Sequence, residues 1–392
     1  MGLLRFYPFT NGLGVVILNL LTKLSMHFFR MITLPMYKTR ATMVISSTCF
    51  AGGFGMEHSF LSHSDAAQRN RNSILRYIKT HQPLSRTDIW EGMPISRASV
   101  TQVIRQLTES GLVLEVGMGN STGGRKPQYL TFNGSAKKFY AFHWMSRKLF
   151  LLDLAGHILC EQSVQLDKTI LPTTFVNVLS AGIRDIAAKN LCPSEDIIGL
   201  CLSLPGIIDY RSGKVIYAVE LGWQNVPIGN SLQEALGMAV YVEQIGSVMA
   251  LGCNCLEHVQ HATHFQLFIL DNDGIGVSSV FHGNCQHGAN YMHGELGHIK
   301  TGRDILCSCG QRGCLEAVIH DLMLQSGGLI TQEILEYLSI GIATTINISD
   351  SSHAVMVGSY VNQMTPMQQE YLTKAIRQEG ADRPAIFVLD LG

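Results

Sequence analysis

The sequence lacks the segments that mark membrane or exported proteins. Its apolar run from residue 13 to 21 is interrupted only by Asn19 and has less than half of the ~20 residues that a membrane-spanning helix needs. No small-residue cleavage site of a signal peptide follows it. The ten cysteines also lack the regular spacing of a small disulfide scaffold, which favours a reducing compartment. We therefore expect a cytoplasmic protein without a membrane segment.

The sequence also lacks an overall charge excess. Its net charge is -1 and its pI is near 6.9, so the total charge does not indicate nucleic-acid binding. A neutral total can still conceal a basic module. With 392 residues and 46% hydrophobic content, the chain can form two or three domains and at least one large core.

Acidic residues are missing from the first 55 positions, where the charged residues are Arg5, Lys23, Arg30, Lys38 and Arg40. This composition differs from that of the remaining chain. We interpret residues 1–55 as a leader outside the working protein, with Met56 as its start and Met1 as the alternative.

The segment 56–134 has the pattern of a winged helix-turn-helix. Apolar residues at helical spacing predict helices over 68–81, 86–90 and 97–110, the last capped by Ser96. Strands are predicted over 112–116 and 128–132, joined by a glycine-rich wing over 117–127.

The third of these helices is the candidate recognition helix, because its polar face can reach base edges and phosphates in a major groove. Nine Lys and Arg stand against six Asp and Glu in this segment, and the alternative is an interaction module whose basic residues are merely solvated. The predicted DNA contacts are Arg86, Ser96, Arg97, Ser99, Thr101, Gln102, Arg105, Arg125 and Lys126.

Beyond Lys137 the chain alternates strand-like apolar runs with helical segments, which predicts a mixed α/β architecture. The clearest strands are 149–154, 197–204, 239–242 and 265–270, and the clearest helices are 175–188 and 231–236. A turn over 204–209 follows a buried strand, where ligand loops of open α/β sheets lie.

Three cysteines crowd into eight residues downstream of a histidine. His298, Cys307, Cys309 and Cys314 form a Cys₃His set that matches tetrahedral zinc, and four protein ligands would make the ion structural. The alternative is free cysteines in a loop. Cys253 and Cys255 lack such glycine turns and are interpreted as ordinary structural residues.

Several segments resemble the ROK family of repressors and sugar kinases, which includes N-acetylglucosamine and xylose repressors. The resemblance covers residues 68–360 and is carried by 82–89 (QPLSRTDI), 95–101 (ISRASVT), 121–127 (STGGRKP), 294–298 (GELGH) and 307–316 (CSCGQRGCLE). It implies a winged helix-turn-helix domain followed over 137–392 by a two-lobed, actin-like sugar-kinase fold of the ribonuclease H-like type. It also implies a zinc loop over 298–314 and a sugar pocket formed by Glu295, His298 and Glu316.

The resemblance is absent at the positions that a kinase of this family uses for its catalytic base and phosphate loops. Ile245 occupies the position of the family's catalytic Asp, and an isoleucine accepts no proton. His143 and Trp144 replace glycines of the first phosphate loop, and Asp273 places a carboxylate in the second, where it would repel phosphate. We therefore predict no enzymatic activity and no catalytic residue.

A second departure concerns the stretch between Glu316 and Ile340, where only two short helical stretches fit. The family's longer helical run is therefore predicted to be shortened, with its final strand at 355–359.

These features together predict a transcriptional regulator of carbohydrate metabolism, acting mainly as a repressor. Its expected partners are operator DNA, a sugar or sugar-phosphate effector and further copies of itself in a dimer or tetramer. Two alternatives remain open: an active ROK sugar kinase with a replacement base, and a degenerate, non-enzymatic binding protein.

Overall fold

The computed structural model describes residues 63–118, 128–167, 169–190, 193–253, 259, 262–380 and 384–388. These residues form two compact units, one ending at Ala136 and the other beginning at Lys137. The leader over 1–55, the wing residues Arg125 and Lys126, and Cys255 lie outside the described residues.

The first unit is a three-helix module with a small antiparallel sheet of order β1-β3-β2. Its elements are α1 His63–His81, β1 Leu84–Ser85, α2 Arg86–Gly92, α3 Arg97–Glu109, β2 Val113–Met118 and β3 Gln128–Phe132. The predicted order of helices and strands is confirmed, and α1 begins five residues earlier than predicted.

Local sequence sets the helix boundaries of this unit. Ser85 accepts a hydrogen bond from the Asp88 backbone N–H, and the Asp88 side chain accepts one from the Ser85 backbone N–H, so a capping box starts α2. Ser96 accepts from the Ser99 N–H and starts α3. The core is made by apolar residues at helical spacing in α1, α2 and α3, among them Ile74, Ile78, Ile89, Ile104 and Leu107.

The second unit contains two five-stranded sheets with the same topology. The first has the order β11-β7-β4-β5-β6 and the second β14-β13-β12-β15-β16. In each sheet, three successive strands form an antiparallel meander, and two later strands add in parallel beside its first strand. A smaller antiparallel sheet has the order β10-β9-β8.

The bounds of the elements follow in chain order. The strands are β4 Lys138–His143, β5 Lys148–Asp153, β6 Ile158–Ser163, β7 Ile197–Leu204, β8 Ile207–Asp209, β9 Lys214–Ala218, β10 Trp223–Val226, β11 Val240–Gln244, β12 His264–Asp271, β13 Gly274–Phe281, β14 Asn284–Cys285, β15 His353–Val357 and β16 Ala385–Val388. The helices are α4 Pro172–Asn190, α5 Ile228–Leu236, α6 Ile245–Cys253, α7 Leu315–Gln325, α8 Gln332–Ser349, α9 Ser359–Gln363 and α10 Pro366–Gln378. Two 3₁₀ turns cover Ser194–Asp196 and Leu296–His298.

Helix α6 is buried along its whole length and packs against strands of both large sheets. Its sequence contains only one hydroxyl side chain, Ser247, and its small residues permit this close approach. A Cβ on Gly246 would lie 2.5 Å from Ser278 Oγ of β13. The first residues of α6 therefore reach the space between the two sheets.

Two helices lie in the stretch between Glu316 and Ile340, as predicted, but the second is longer than predicted. Helix α8 runs for 18 residues, although Gly341 and several β-branched residues lower its intrinsic helix propensity. Burial of Ile334, Leu338, Ile342 and Ile346 on one face outweighs that preference. Gly341 lets α8 approach α7, since a Cβ there would lie 2.8 Å from a methyl group of Leu315.

None of the helices in the described part of the chain combines the length and hydropathy that a bilayer-spanning segment requires.

Candidate functional site

The four residues of the predicted metal site lie together. One ligand atom from each of His298, Cys307, Cys309 and Cys314 falls within 4.8 Å of the others. The Sγ atoms of Cys309 and Cys314 are 3.8 Å apart, and Cys307 Sγ is 3.7 Å from His298 Nδ1. Around a tetrahedral ion with Zn–S bonds of about 2.3 Å, two sulfurs stand about 3.8 Å apart. The cluster could therefore hold a metal ion.

Short-range structure holds these ligands in place. His298 ends the 3₁₀ turn Leu296–His298, and Cys314 is the N-cap of α7. The loop between them is closed by bridges from Lys300 to Cys314 and from Leu306 to Arg312. Gly313 has a φ of +75°, and a Cβ there would lie 2.6 Å from Arg303 O, so only glycine fits this turn.

The surroundings shift the pKa values of two of the cluster's cysteines in opposite directions. The Gln311 backbone hydrogen bond lowers the pKa of Cys309, and Lys300 Nζ stands 3.4 Å from Cys314 Sγ. Thiolate is the form of cysteine that binds metal. The thiolate form is therefore favoured at Cys309, whereas burial raises the pKa of Cys314 despite the nearby Lys300.

A cavity of about 550 Å³ opens beside the metal cluster, within the second unit. Glu295, His298 and Glu316 all line it, as do Gln244 and Ile245. The structure thus brings the three predicted sugar contacts together with Ile245, which stands at the position of the family's catalytic Asp.

His298 connects the cavity to the metal cluster. Its Nδ1 faces Cys307, while its Nε2 lies 3.7 Å from Glu295 Oε2. Such a carboxylate partner fixes the orientation of a ligating imidazole. The cluster therefore positions a side chain that also forms the wall of the cavity.

The two carboxylates that are predicted to contact the sugar are held differently. Glu316 Oε2 accepts a hydrogen bond of 3.1 Å from the Ile275 N–H. Burial raises the pKa of Glu295, with a further increase from Glu316 and an opposing decrease from His298. Fixed carboxylate and imidazole groups can accept from and donate to the hydroxyls of a sugar.

Three of the four positions at which the sequence predicts a loss of kinase chemistry line the same cavity. Ile245, Trp144 and Asp273 are all in its wall, whereas His143 is not. The second phosphate loop is a tight hairpin, because Asp271 pairs with Gly274 across the turn from β12 to β13. Loss of the kinase base and of the two phosphate-binding loops at these positions stays a prediction.

Sequence reasoning missed three polar groups of the cavity, namely Arg147, Glu220 and Asp271. Asp271 ends β12 and accepts a hydrogen bond of 2.7 Å from Ser359 Oγ of α9. Its place at the carboxyl end of a buried strand was a usable signal. Arg147 and Glu220 lie in turns whose position beside the cavity depends on tertiary packing.

Helix α3 of the first unit presents the polar face that the sequence predicted. Arg97, Thr101, Gln102 and Arg105 are exposed, whereas Ser99 is half-buried. The Arg97 guanidinium stacks 4.1 Å from the ring centroid of Trp90. Arg105 forms only a loose pair with Glu109, at 3.8 Å.

Two predicted DNA contacts have structural partners. Arg86 Nη2 lies 2.6 Å from Glu115 Oε1 of β2, which ties α2 to the sheet. Ser96 caps α3 through the Ser99 N–H. The exposed group on α3 therefore offers more unengaged donors than these two residues do.

A relative named putative xylose repressor, from Caldicellulosiruptor sp. (strain Rt8B.4), is 30% identical over 274 residues, which covers 68% of this chain and 67% of the relative. The chain belongs to the ROK family. The ROK family model matches residues 146–326, and a MarR family model matches residues 69–114. The ROK match thus contains most of the cavity and the whole metal cluster, and the MarR match contains α2 and α3.

Two further relatives agree with this membership. The Escherichia coli (strain K12) protein named DNA-binding transcriptional dual regulator NagC is 27% identical over 72% of this chain and 68% of its own length. A crystal structure of a ROK family transcriptional regulator, described as a homolog of the E. coli MLC protein, superimposes with a TM-score of 0.69. That structure covers 83% of this chain and 92% of its own at 21% identity, and it supports the ROK fold of a helix-turn-helix unit followed by a two-lobed unit.

Proposed function

We propose that this ROK protein is a sequence-specific DNA-binding transcriptional regulator of carbohydrate metabolism, acting mainly as a repressor. One observation carries the proposal: an intact helix-turn-helix unit is joined to a ROK unit whose pocket keeps Glu295, His298 and Glu316 but has Ile245 at the position of the kinase base. The relative named putative xylose repressor and the one named DNA-binding transcriptional dual regulator support the same conclusion.

The DNA-binding part is residues 56–134, and α3 is its recognition helix. Arg97, Thr101, Gln102 and Arg105 are the principal contacts, because they project from the exposed face of α3. Arg86, Ser96 and Ser99 contribute at its edge, and Arg125 and Lys126 contribute from the wing. Paired copies of the chain contact two half-sites of an operator, as symmetric readers do.

The ligand-binding part is residues 137–392. It binds a monosaccharide or sugar phosphate in the cavity lined by Glu295, His298 and Glu316, and zinc fills the Cys₃His cluster as a structural ion. Bound zinc would hold His298, which forms a wall of the cavity, in one orientation. The protein works in the cytoplasm, where thiolate ligands persist.

Phosphotransfer is lost. A kinase needs a carboxylate near the sugar hydroxyl and backbone N–H groups around the phosphates. Ile245 offers no carboxylate at the position of the base, and the bulky Trp144 and the anionic Asp273 stand where the phosphate loops would be. Purified protein incubated with ATP and a panel of hexoses should form no sugar phosphate, and its accumulation would favour the kinase alternative.

The regulatory function is tested by genome-wide capture of bound DNA, followed by affinity measurements on the enriched sites at fixed salt. Arg105→Ala and Gln102→Ala should each weaken specific binding roughly 5- to 150-fold, since a bidentate base contact contributes roughly 1–3 kcal/mol. Arg184→Ala is the matched control, because that arginine is exposed on α4 of the second unit. Absence of enriched sites would favour a degenerate binding protein.

A further inference from the structure

Helix α3 begins with an arginine that has an aromatic partner. Arg97 is the first residue of this helix, directly after the Ser96 cap, and its side chain is exposed. Its Cζ lies 4.1 Å from the ring centroid of Trp90 on α2. A guanidinium at this distance is attracted to the electron-rich face of an indole, which binds cations more strongly than the other aromatic rings do. The contact therefore links the candidate recognition helix to the helix before it.

The N–H donors of Arg97 are not used within the unit. Among the described residues, no hydrogen bond or ion pair engages its guanidinium, whereas Arg86 of α2 is paired with Glu115. A guanidinium carries five donors in a planar fork and no acceptor. Trp90 thus holds the cation by its ring and leaves the fork available to an acceptor outside the chain.

The indole nitrogen does not explain why a tryptophan stands at position 90. Its Nε1 is buried and has no hydrogen-bond partner in the part of the chain that the structure describes. A buried donor without a partner costs free energy, so a tryptophan is not favoured here for hydrogen bonding. The contact of its ring with Arg97, in contrast, is one that only an aromatic side chain can make.

The helix that carries Trp90 is fixed in the unit. A capping box of Ser85 and Asp88 starts α2, and Ile89, next to Trp90 in the chain, is fully buried. An aromatic ring on a fixed helix can hold the Arg97 guanidinium in place before DNA binds. Less side-chain entropy is then lost on binding, which strengthens the contact that the side chain makes.

We propose that Trp90 positions Arg97 to read a guanine in each half-site of the operator. The proposal rests on the function inferred above, in which α3 is the recognition helix. Residues at the N-terminal end of a recognition helix contact base edges, and arginine donates to guanine O6 and N7 with both arms of its fork. Trp90 acts through Arg97 and is a positioning residue.

The test begins with the full-length chain and operator sites in which each base pair is substituted singly, with affinities measured at fixed salt. Wild type should lose roughly 5- to 150-fold in affinity when the guanine is replaced. Arg97→Ala should abolish the discrimination at that base pair and keep it at the others. Arg97→Lys should lose most of it as well, because lysine keeps the charge without the fork.

Variants of Trp90 assign the positioning role. Trp90→Leu should lower the discrimination at the same base pair about 2- to 5-fold, the range of an exposed cation–aromatic contact. Trp90→Phe should keep most of it, since the ring face remains. In an Arg97→Ala background, Trp90→Leu should change the discrimination no further, because the two residues act as one unit.

Phe132→Leu is the matched control. The Phe132 ring lies 5.2 Å from another cation of the same unit, Lys79 Nζ, and is remote from α3 in the chain. Its replacement removes a second aromatic partner of a cation and should leave the guanine discrimination unchanged.

A separate series keeps the test valid if Trp90→Leu does not fold. Fluorinated tryptophans incorporated at position 90 weaken the negative face of the ring with little change in its shape. The guanine discrimination should then fall as fluorine atoms are added.

Unchanged discrimination in a folded Trp90→Leu, or across the fluorinated series, overturns the proposal. So does an Arg97→Ala variant that weakens all sites equally and reduces the salt dependence by about one phosphate contact, because Arg97 would then contact the DNA backbone. A wild type that prefers no DNA sequence would contradict the proposed function itself. Sequence-specific wild type with none of these losses contradicts only the role of Trp90 and Arg97.

Discussion

At the scale of single residues, His143 lies at the position of the predicted first phosphate loop, and its side chain takes part in packing. The sequence predicted that His143 would block nucleotide, but its side chain is not part of the cavity wall. Its Nδ1 contacts Ser146 Oγ at 3.1 Å, and its Nε2 is buried without a partner among the described residues. Burial lowers the pKa of His143 to about 4, so the folded protein holds the ring neutral.

This depressed pKa makes folding stability depend on pH. The unfolded chain protonates His143 below pH ~6.5 and the folded chain only near pH 4, so stability is complete above 6.5 and falls as pH falls through that window. Between pH 7.5 and 5 the loss should be about 2 kcal/mol. Denaturant titrations at both pH values measure the free energy of unfolding. In His143→Asn, this pH-dependent loss should be absent. Parallel curves for wild type and variant would contradict the assignment, since other acid-labile groups act equally in both.

The metal ligands can be tested residue by residue. Wild type should contain about one zinc per chain, and Cys314→Ser should lose it, because one thiolate fewer leaves the buried cluster incomplete. The melting temperature should fall as well, since binding to the native state stabilises it. Metal analysis after dialysis measures the zinc content of the wild type and of the variant. Cys160→Ser is the control, because Cys160 is half-buried on β6 and outside the cluster; equal zinc in both variants would refute the assignment.

At the scale of elements, Gly294 joins β13 to the pocket. It has a φ of +98°, and its carbonyl accepts from the Val277 N–H at 2.9 Å. A Cβ there would lie 1.8 Å from Val277 O. Two separate constraints, a left-handed backbone and a close approach to a strand, therefore place Glu295 at the cavity.

Gly302 provides the matched comparison, because its φ is +85° and a Cβ there would meet no other atom within 4 Å among the described residues. Gly302→Ala should cost about 1–2 kcal/mol, the penalty of the left-handed conformation. Gly294→Ala adds overpacking and should cost at least about 3 kcal/mol. Denaturant titration of both variants measures the difference. Equal costs would mean that the segment before Glu295 can shift without penalty.

Element types could be predicted from the sequence where one physical signal dominated. Ser96 and the apolar spacing of α3 were enough to predict that helix. The residue types of the Cys₃His cluster were enough to predict a group that could hold a metal ion. Helix α8 was misjudged because burial of Ile334 and Ile342 outweighs local propensity. Arg147 was missed because its place depends on the packing of Trp144 against Phe175, a contact between residues far apart in the chain.

At the scale of the whole molecule, effector and operator should influence each other even though they bind different units. If an effector lowers operator affinity by some factor, the operator must lower effector affinity by the same factor, because the coupling free energy is reciprocal. Typical couplings are 1–3 kcal/mol, or about 5- to 150-fold. A bound ligand that contacts Glu295 and His298 has a route to the rest of its unit through the metal loop and α7.

We therefore expect two measurements on the full-length chain to agree. Operator affinity with and without saturating effector gives one factor, and effector affinity with and without operator gives the other. Glu316→Gln should weaken effector binding, because the carboxylate lines the cavity, while leaving effector-free operator affinity unchanged. A variant that loses operator affinity without effector present would show that Glu316 acts on the fold. Unequal factors in the wild type would show that the ligand acts at a second place, such as the helix-turn-helix unit itself.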